Sequence, residues 1–301
     1  MKWKKMGQVF SPDNHFDWMK SHAANPVVEP LGGSLVRVYF TSRDSSNRSS
    51  ISWLELDMKD PFKVLRISEK PVVPPGEVGL FDDSGAAMGW LTVVDGKKFL
   101  YYLGWNLGVT VPWRNTLGLA IAEAGSMEFR KFSKAPLLDR SDVDPYSISY
   151  PSILIENGLW RMWYGSNLGW GKDPKDMSHV FKYAESRDGL HWDRQGVIAL
   201  PLGSAGDYAL SKPFVLKEKG TYKMWYSHRG LTYRLGYAES GDGLRWERME
   251  DQVGIDVSPS GWDSEMIEYA CVFDVNGERY MLYNGNGYGI TGFGLAVLEK
   301  S

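Results

Sequence analysis

The 301-residue chain has a single cysteine, Cys271, which excludes a disulfide framework and a cysteine-rich zinc site. No stretch of ~18 apolar residues suggests a membrane span. The N-terminal MKWKKMGQVFSPDNHF carries positive charge without the apolar run of a secretory signal. Neither sign of charge dominates. A formal net charge of −3 argues against a general binder of nucleic acid or anionic membrane. These absences make the cytoplasm the expected compartment. Charged residues make up 24% and apolar residues 43% with no low-complexity tract, so wholesale disorder is excluded as well.

What the chain does have is aromatic and glycine content. Trp, Tyr and Phe make up 14% of residues, and there are 33 glycines. Aromatic residues between Gly, Asp and Asn turns suit a β-rich chain. The strands RVYFTS (37–42), FLYYLG (99–104), RMWYGS (161–166), KMWYSH (223–228) and YMLYNG (280–285) align on Phe40, Tyr102, Tyr164, Tyr226 and Tyr283. Their spacings are 62, 62, 62 and 57 residues. The turns VVDGKK, IENGLW, KEKGTY and VNGERY precede four of them, each with a glycine where a tight hairpin needs positive φ. The first copy has Gly32-Gly33 there.

A further apolar run follows each strand, and two copies continue as SRDGLHWDR (186–194) and SGDGLRWER (240–248). In these, Asp188 and Asp242 read as structural turn residues. Each unit is a four-stranded antiparallel meander. Five such units predict an all-β, five-bladed β-propeller spanning 1–301 as one domain. The fifth copy stops at its third strand. Trp3-Lys4-Lys5-Met6-Gly7 resembles Trp192-Asp193-Arg194-Gln195-Gly196, so residues 1–10 are expected to complete blade five and close the ring. A β-sandwich is the competing all-β fold, but it gives no reason for a fixed repeat.

Meander geometry places the long loops 42–50, 104–116, 166–180, 228–234 and 285–292 on one face, with the first residues of each inner strand. Candidate polar residues there are His22, Arg43, Asp44, Arg48, Asp82, Asp83, Trp105, Arg114, His179, Lys212, His228, Arg234, Glu265, Glu268 and Tyr288. Carboxylates, guanidiniums and exposed rings in one funnel suit a sugar. Each has a structural alternative: Asp82 and Asp83 as turn or capping residues, Arg43, Asp44 and Arg48 as a loop ion pair, His22 as a satisfied inner-ring histidine. Strand alternation turns Glu265 and Glu268 different ways. No HExxH, EF-hand or phosphate-loop motif is present, so no metal or cofactor is expected.

With RVYFTSRDSSNRS (37–49), FDDSGAAMG (81–89), YRLGYAESGDGLRWER (233–248) and SGWDSEMIEY (260–269), the chain resembles the five-bladed propeller glycosidase superfamily, which includes glycoside hydrolase families 43, 32, 62, 68 and 130. It is most similar to a bacterial group associated with surface-polysaccharide gene clusters. The resemblance implies inner-strand carboxylates acting as base or nucleophile, as general acid and as orienting acid. Two carboxyls stand ~5–5.5 Å apart for retention or ~6.5–9.5 Å for inversion. This sequence departs from that pattern. HAANP (22–26) has His22 and Asn25 where an aspartate is expected, and SISYPS (147–152) offers no acid.

The expected function is therefore a carbohydrate-active enzyme, glycoside hydrolase-like, with Asp83 and Glu265 as acid/base carboxylates. The other candidates would position an acidic, phosphorylated or nucleotide-linked sugar, or an oligosaccharide. A non-catalytic glycan- or sugar-nucleotide-binding propeller is the alternative. A third reading makes His22 a general base.

Overall fold

A computed structural model describes residues 1–300 except 14, 172, 174–176, 204 and 205. The chain is all-β. Strand β1 (Trp3–Phe10) is followed by β2 (Ser21–Gly32), β3 (Leu35–Arg43), β4 (Ser49–Asp57) and β5 (Asp60–Ile67). Next come β6 (Gly85–Val94), β7 (Lys97–Leu107), β8 (Trp113–Ala122) and β9 (Arg130–Lys131). A third set is β10 (Ile148–Glu156), β11 (Leu159–Trp170), β12 (Met177–Ser186) and β13 (Trp192–Asp193), and the short β14 (Ile198–Leu200) also pairs with β12. The remainder is β15 (Ala209–Glu218), β16 (Thr221–Arg229), β17 (Tyr233–Ser240), β18 (Glu247–Arg248), β19 (Glu268–Val275), β20 (Glu278–Asn284) and β21 (Phe293–Leu298).

Hydrogen bonding groups these strands into antiparallel meanders in chain order, and a single parallel residue pair joins β4 to β6 and β12 to β15. The last meander is completed from the other end of the chain, with sheet order β1-β21-β20-β19. The first strands touch in a cycle: β2 beside β6, β6 beside β10, β10 beside β15, β15 beside β19, and β19 beside β2.

Local sequence explains the turns. Asp95-Gly96, Asn157-Gly158, Lys219-Gly220 and Asn276-Gly277 all have positive φ at both positions, the conformation that matches a two-residue hairpin to the twist of its strands. Phe40, Tyr102, Tyr164, Tyr226 and Tyr283 are completely buried, so the repeated aromatic is the core residue of each meander. In both SxDGxxW turns the aspartate accepts two backbone N–H bonds, and the tryptophan indole bonds the glycine carbonyl. The aromatic of the preceding meander bonds that same carbonyl: Tyr101 to Gly189 at 2.8 Å and Trp163 to Gly243 at 2.7 Å. A Cβ on Gly189 would stand 2.7 Å from Trp160 and from the Tyr101 hydroxyl, so only glycine allows this contact.

A second repeated device is electrostatic. Asp82 accepts Tyr102 Oη at 3.0 Å and Lys131 Nζ at 2.6 Å. Asp144 accepts Tyr164 Oη at 2.9 Å and Arg194 Nη1 at 3.0 Å. Asp263 accepts Tyr283 Oη at 3.0 Å and Lys5 Nζ at 2.7 Å. In the fourth meander Tyr226 bonds Glu250, while Arg248 pairs with both Glu250 and Asp207. Each cation comes from the outermost strand or its edge. Asp82, Asp144 and Asp263 are 0–2% exposed, so burial of their charge is compensated by pairing.

Candidate functional site

Every first strand carries a β-bulge at the same level. The register slips at Asn25-Pro26 in β2, Gly89 in β6, Tyr150 in β10, Lys212-Pro213 in β15 and Tyr269-Ala270 in β19. Asn25, Lys212 and Tyr269 have φ of 57°, 48° and 59°, left-handed values that re-aim a side chain out of the normal alternation. Side chains of the neighbouring meander take the freed N–H groups: Met88 N–H donates to Thr41 Oγ1 (2.7 Å), Tyr269 N–H to Ser227 Oγ (2.8 Å) and Asn25 N–H to Asn284 Oδ1 (2.8 Å). Thr41, Ser227 and Asn284 each follow the repeated aromatic directly, so the core repeat also fixes the bulges.

Above this ring lies a cavity of about 570 Å³. Its walls are largely aromatic: Trp105, Trp113, Tyr150, Tyr233, Tyr269 and Tyr288. Its cations are Arg43 and Arg229, and neither has a carboxylate within ion-pair distance among the described residues. Arg43 lies over the Trp105 ring at 5.9 Å and donates to Asn47. Arg229 sits between the Tyr208 and Tyr233 rings at 5.3 and 5.6 Å. His179 also lines the cavity; burial and then Arg229 lower its pKa to about 4, so its ring is neutral at pH 7.

No carboxylate lines the cavity among the described residues. Behind its tyrosine wall stands Glu268, with 0% exposure. Neither of its oxygens makes a well-formed hydrogen bond among the described residues, although the Tyr269 phenol faces the carboxyl. Burial pushes Glu268 well above the usual carboxylate range, with Tyr269 and Arg229 opposing more weakly. Burial likewise raises Tyr150 to about 12 and holds Tyr233 and Tyr269 protonated. Unpartnered buried polar atoms cluster here, with Asn25 Nδ2, His179 Nδ1 and Arg229 Nε joining the Glu268 oxygens. A folded protein leaves few such atoms, and a cluster of them calls for a partner such as water, an ion or a ligand.

Of the residues singled out from sequence, Arg43, Trp105, His179 and Tyr288 line this cavity, and Glu268 lies directly behind it. The others, Asp83 and Glu265 included, are not in the described lining. Asp83 closes its own loop, accepting Gly79 N–H, Ser84 Oγ and Asn106 Nδ2, contacts that lower its pKa against burial. Glu265 is exposed, with its backbone held by Asn286 and Arg234. Asp82 belongs to the buried tyrosine–cation clamp.

Asp44 and Arg48 pair within their loop, as the structural alternative had it. Arg234 is engaged by Thr232, Glu265 O and Asp256. His228 bonds Asp207, and Arg114 projects outside the lining. His22, with φ 62°, bonds Ser21 Oγ at 2.9 Å; burial and then Arg43 lower it to about 4. Lys212 is wholly buried below the cavity, its Nζ donating to Pro26 O at 3.4 Å. Sequence reasoning missed Tyr269, Trp113 and Ser149. The signal for Tyr269 was a bulge that an alternation rule does not reveal.

No family model matches the chain. It is 48% identical over 300 residues to Uncharacterized protein Rv1502 of Mycobacterium tuberculosis (strain ATCC 25618 / H37Rv), covering 100% of each. The chain belongs to the Rv1502 family. Among solved structures it is similar to a glycoside hydrolase, with TM-score 0.77, 17% identity, and 99% of this chain and 92% of that one covered. It is also similar to a structure from a report that the GH130 family of mannoside phosphorylases contains glycoside hydrolases that target beta-1,2 mannosidic linkages in Candida mannan. There the TM-score is 0.72 at 14% identity, over 99% and 93% of the chains. A thermostable family-43 glycoside hydrolase aligns with TM-score 0.63 and 18% identity, over 92% and 88%. At these identities the likeness is one of fold.

Proposed function

We propose that this Rv1502-family chain is one closed, five-bladed propeller domain and a carbohydrate-active enzyme of the glycoside-hydrolase kind, acting on an anionic sugar in the cavity. The cyclic contact of first strands and the use of β1 to finish the last meander support the closed ring. The observation that carries the ligand reading is the pairing of two carboxylate-free arginines with a tyrosine- and tryptophan-walled space. Rings stack on aromatic side chains, and a guanidinium without a carboxylate partner is available for a bidentate bond to carboxylate or phosphate.

Because neither Asp83 nor Glu265 is in the described cavity lining, the acid role in this reading falls to Glu268 instead. A wholly buried carboxyl whose pKa burial has raised retains its proton further up the pH scale and can serve as a proton donor. Glu268 acts through the Tyr269 hydroxyl, which lines the cavity and touches the glycosidic oxygen. His179, neutral with a pKa near 4, contributes a hydrogen bond rather than base strength, and His22, lowered equally, is outside the lining.

One observation favours a second reading. Hydrolysis by two carboxylates needs a partner for Glu268 across the sugar, and the described lining holds none. A binding propeller that retains the anion site needs no partner. Calorimetry and product assays with uronic-acid oligosaccharides and sugar phosphates separate the two. The enzyme reading expects Arg229→Met to abolish binding, and Glu268→Gln or Tyr269→Phe to preserve binding and remove turnover. Binding without turnover in the unaltered protein establishes the second reading. Binding that ignores Arg229→Met overturns the anion site itself.

A further inference from the structure

We propose that the mouth of the cavity docks on a lipid bilayer and receives a lipid-linked, phosphate-bearing saccharide, an inference that rests on the anionic-sugar reading above. The four most exposed large apolar side chains among the described residues are Val78, Leu107, Val109 and Leu231, at 99, 72, 104 and 99%. Leu107, Val109 and Leu231 lie in loops that contribute to the cavity lining. Leu107 is itself part of the lining, and Leu231 lies between the lining residues Arg229 and Tyr233. Val78 belongs to the neighbouring loop, where Ser84 Oγ accepts Leu107 N–H and Asp83 holds Gly79 and Asn106. Ile290, half exposed, follows the lining residue Tyr288.

Scattered exposed hydrophobes are ordinary. Their collection around one opening is not. The loops of Val78, Leu107 and Val109 are braced, by the Asp83 contacts on one side and by the Trp113–Trp170 edge contact at 5.5 Å on the other. The tips therefore point outward in a fixed arrangement. They are separate aliphatic fingers on different loops, not the flat patch with aromatic or arginine anchors that a protein interface presents. Exposed aliphatic tips gain free energy by burial at the headgroup–acyl boundary, in proportion to the apolar area removed from water. The opening between them leads to Arg43 and Arg229, which lack a carboxylate and suit a headgroup phosphate. Docking by loop tips needs neither a spanning segment nor a basic surface, and it departs from the sequence expectation of no membrane partner.

Vesicle flotation tests the inference, with phosphatidylcholine vesicles with and without phosphatidylinositol, whose phosphate and polyol ring serve as the headgroup probe. The unaltered chain should float with both and more with phosphatidylinositol. The double variant Val109→Ser/Leu231→Ser should lose on the order of tenfold or more in vesicle affinity, with thermal midpoint and affinity for a soluble sugar phosphate unchanged. Arg229→Met should remove only the preference for phosphatidylinositol. Absence of flotation, or flotation indifferent to the double variant, overturns docking while leaving soluble-sugar binding intact. A concentration-dependent dimer dissolved by the same double variant also overturns it, assigning the rim to a second copy. Rim-dependent flotation without any binding of soluble sugar phosphate upholds docking and defeats the anionic-sugar reading instead.

Discussion

Lys5 Nζ and Asp263 Oδ2 are 2.7 Å apart, although 258 residues separate them in the chain. Asp263 is nearly inaccessible, and Lys5 occupies the place that Lys131 and Arg194 take toward Asp82 and Asp144. The N-terminal strand thus brings a cation as well as backbone pairing to the last meander. Lys5→Met leaves the buried Asp263 carboxylate with the Tyr283 hydroxyl as its remaining partner among the described residues. The expected loss is roughly 2–3 kcal/mol, at the lower edge for a broken buried pair because Lys5 is partly solvated. Urea denaturation measures it. Removing residues 1–10 also strips Trp3, Val9 and Phe10 from the core and should abolish a cooperative transition. An unchanged midpoint after either alteration contradicts the latch.

Ser227 makes a different kind of join. Its hydroxyl accepts the Tyr269 N–H that the β19 bulge leaves unpaired. Ser227→Ala strands that donor in the interior, at a cost of about 1–3 kcal/mol. Tyr269 lines the cavity, so the same substitution should weaken ligand binding, whereas Ser84→Ala, on the mouth loop, should not alter Tyr269. Comparing thermal midpoints and sugar affinity of the two variants checks this.

The repeat was legible because burial forces it. One aromatic per meander fills each core, and Phe40, Tyr102, Tyr164, Tyr226 and Tyr283 keep nearly constant spacing. The SxDGxxW turns and the role of residues 1–10 as the strand beside β21 followed from the same pattern. The site was less legible for two physical reasons. Left-handed residues at the bulges break the period of two, which sent attention to Glu265 when Glu268 and Tyr269 are the groups at the cavity. Repeated aspartates before inner strands also look like pocket residues, yet Asp82 is consumed by Tyr102 and Lys131. Only the folded arrangement reveals that the cation balancing it comes from an outer strand.

Glu268 makes stability depend on pH in a stated direction. Its folded-state pKa lies well above the ordinary 4.5 because burial disfavours the anion. Between 4.5 and that raised value the native state holds a proton that the unfolded chain has released, so stability falls as pH rises. Glu268→Gln removes this slope. The variant should match the parent near pH 4 and exceed it in thermal midpoint at pH 8. If the parent is the more stable of the two at pH 8, Glu268 is charged and compensated.

Lys212 carries the opposite dependence. It is wholly buried, with one long bond to Pro26 O, and burial lowers its pKa from 10.5 to about 8, with Cys271 opposing weakly. Between about 8 and 10.5 the unfolded chain binds a proton that the native state has lost, so Lys212 makes stability rise with pH through that window. Below about pH 8 the native state bears the full cost of a buried ammonium. Lys212→Met keeps the unbranched stem and removes the charge. It should raise the thermal midpoint most at pH 7 and below, with the gain shrinking steadily toward pH 10.5. A loss of stability at pH 7 would show instead that the ammonium is held by an anion on the central axis, and chloride titration of the unaltered protein would then raise its midpoint.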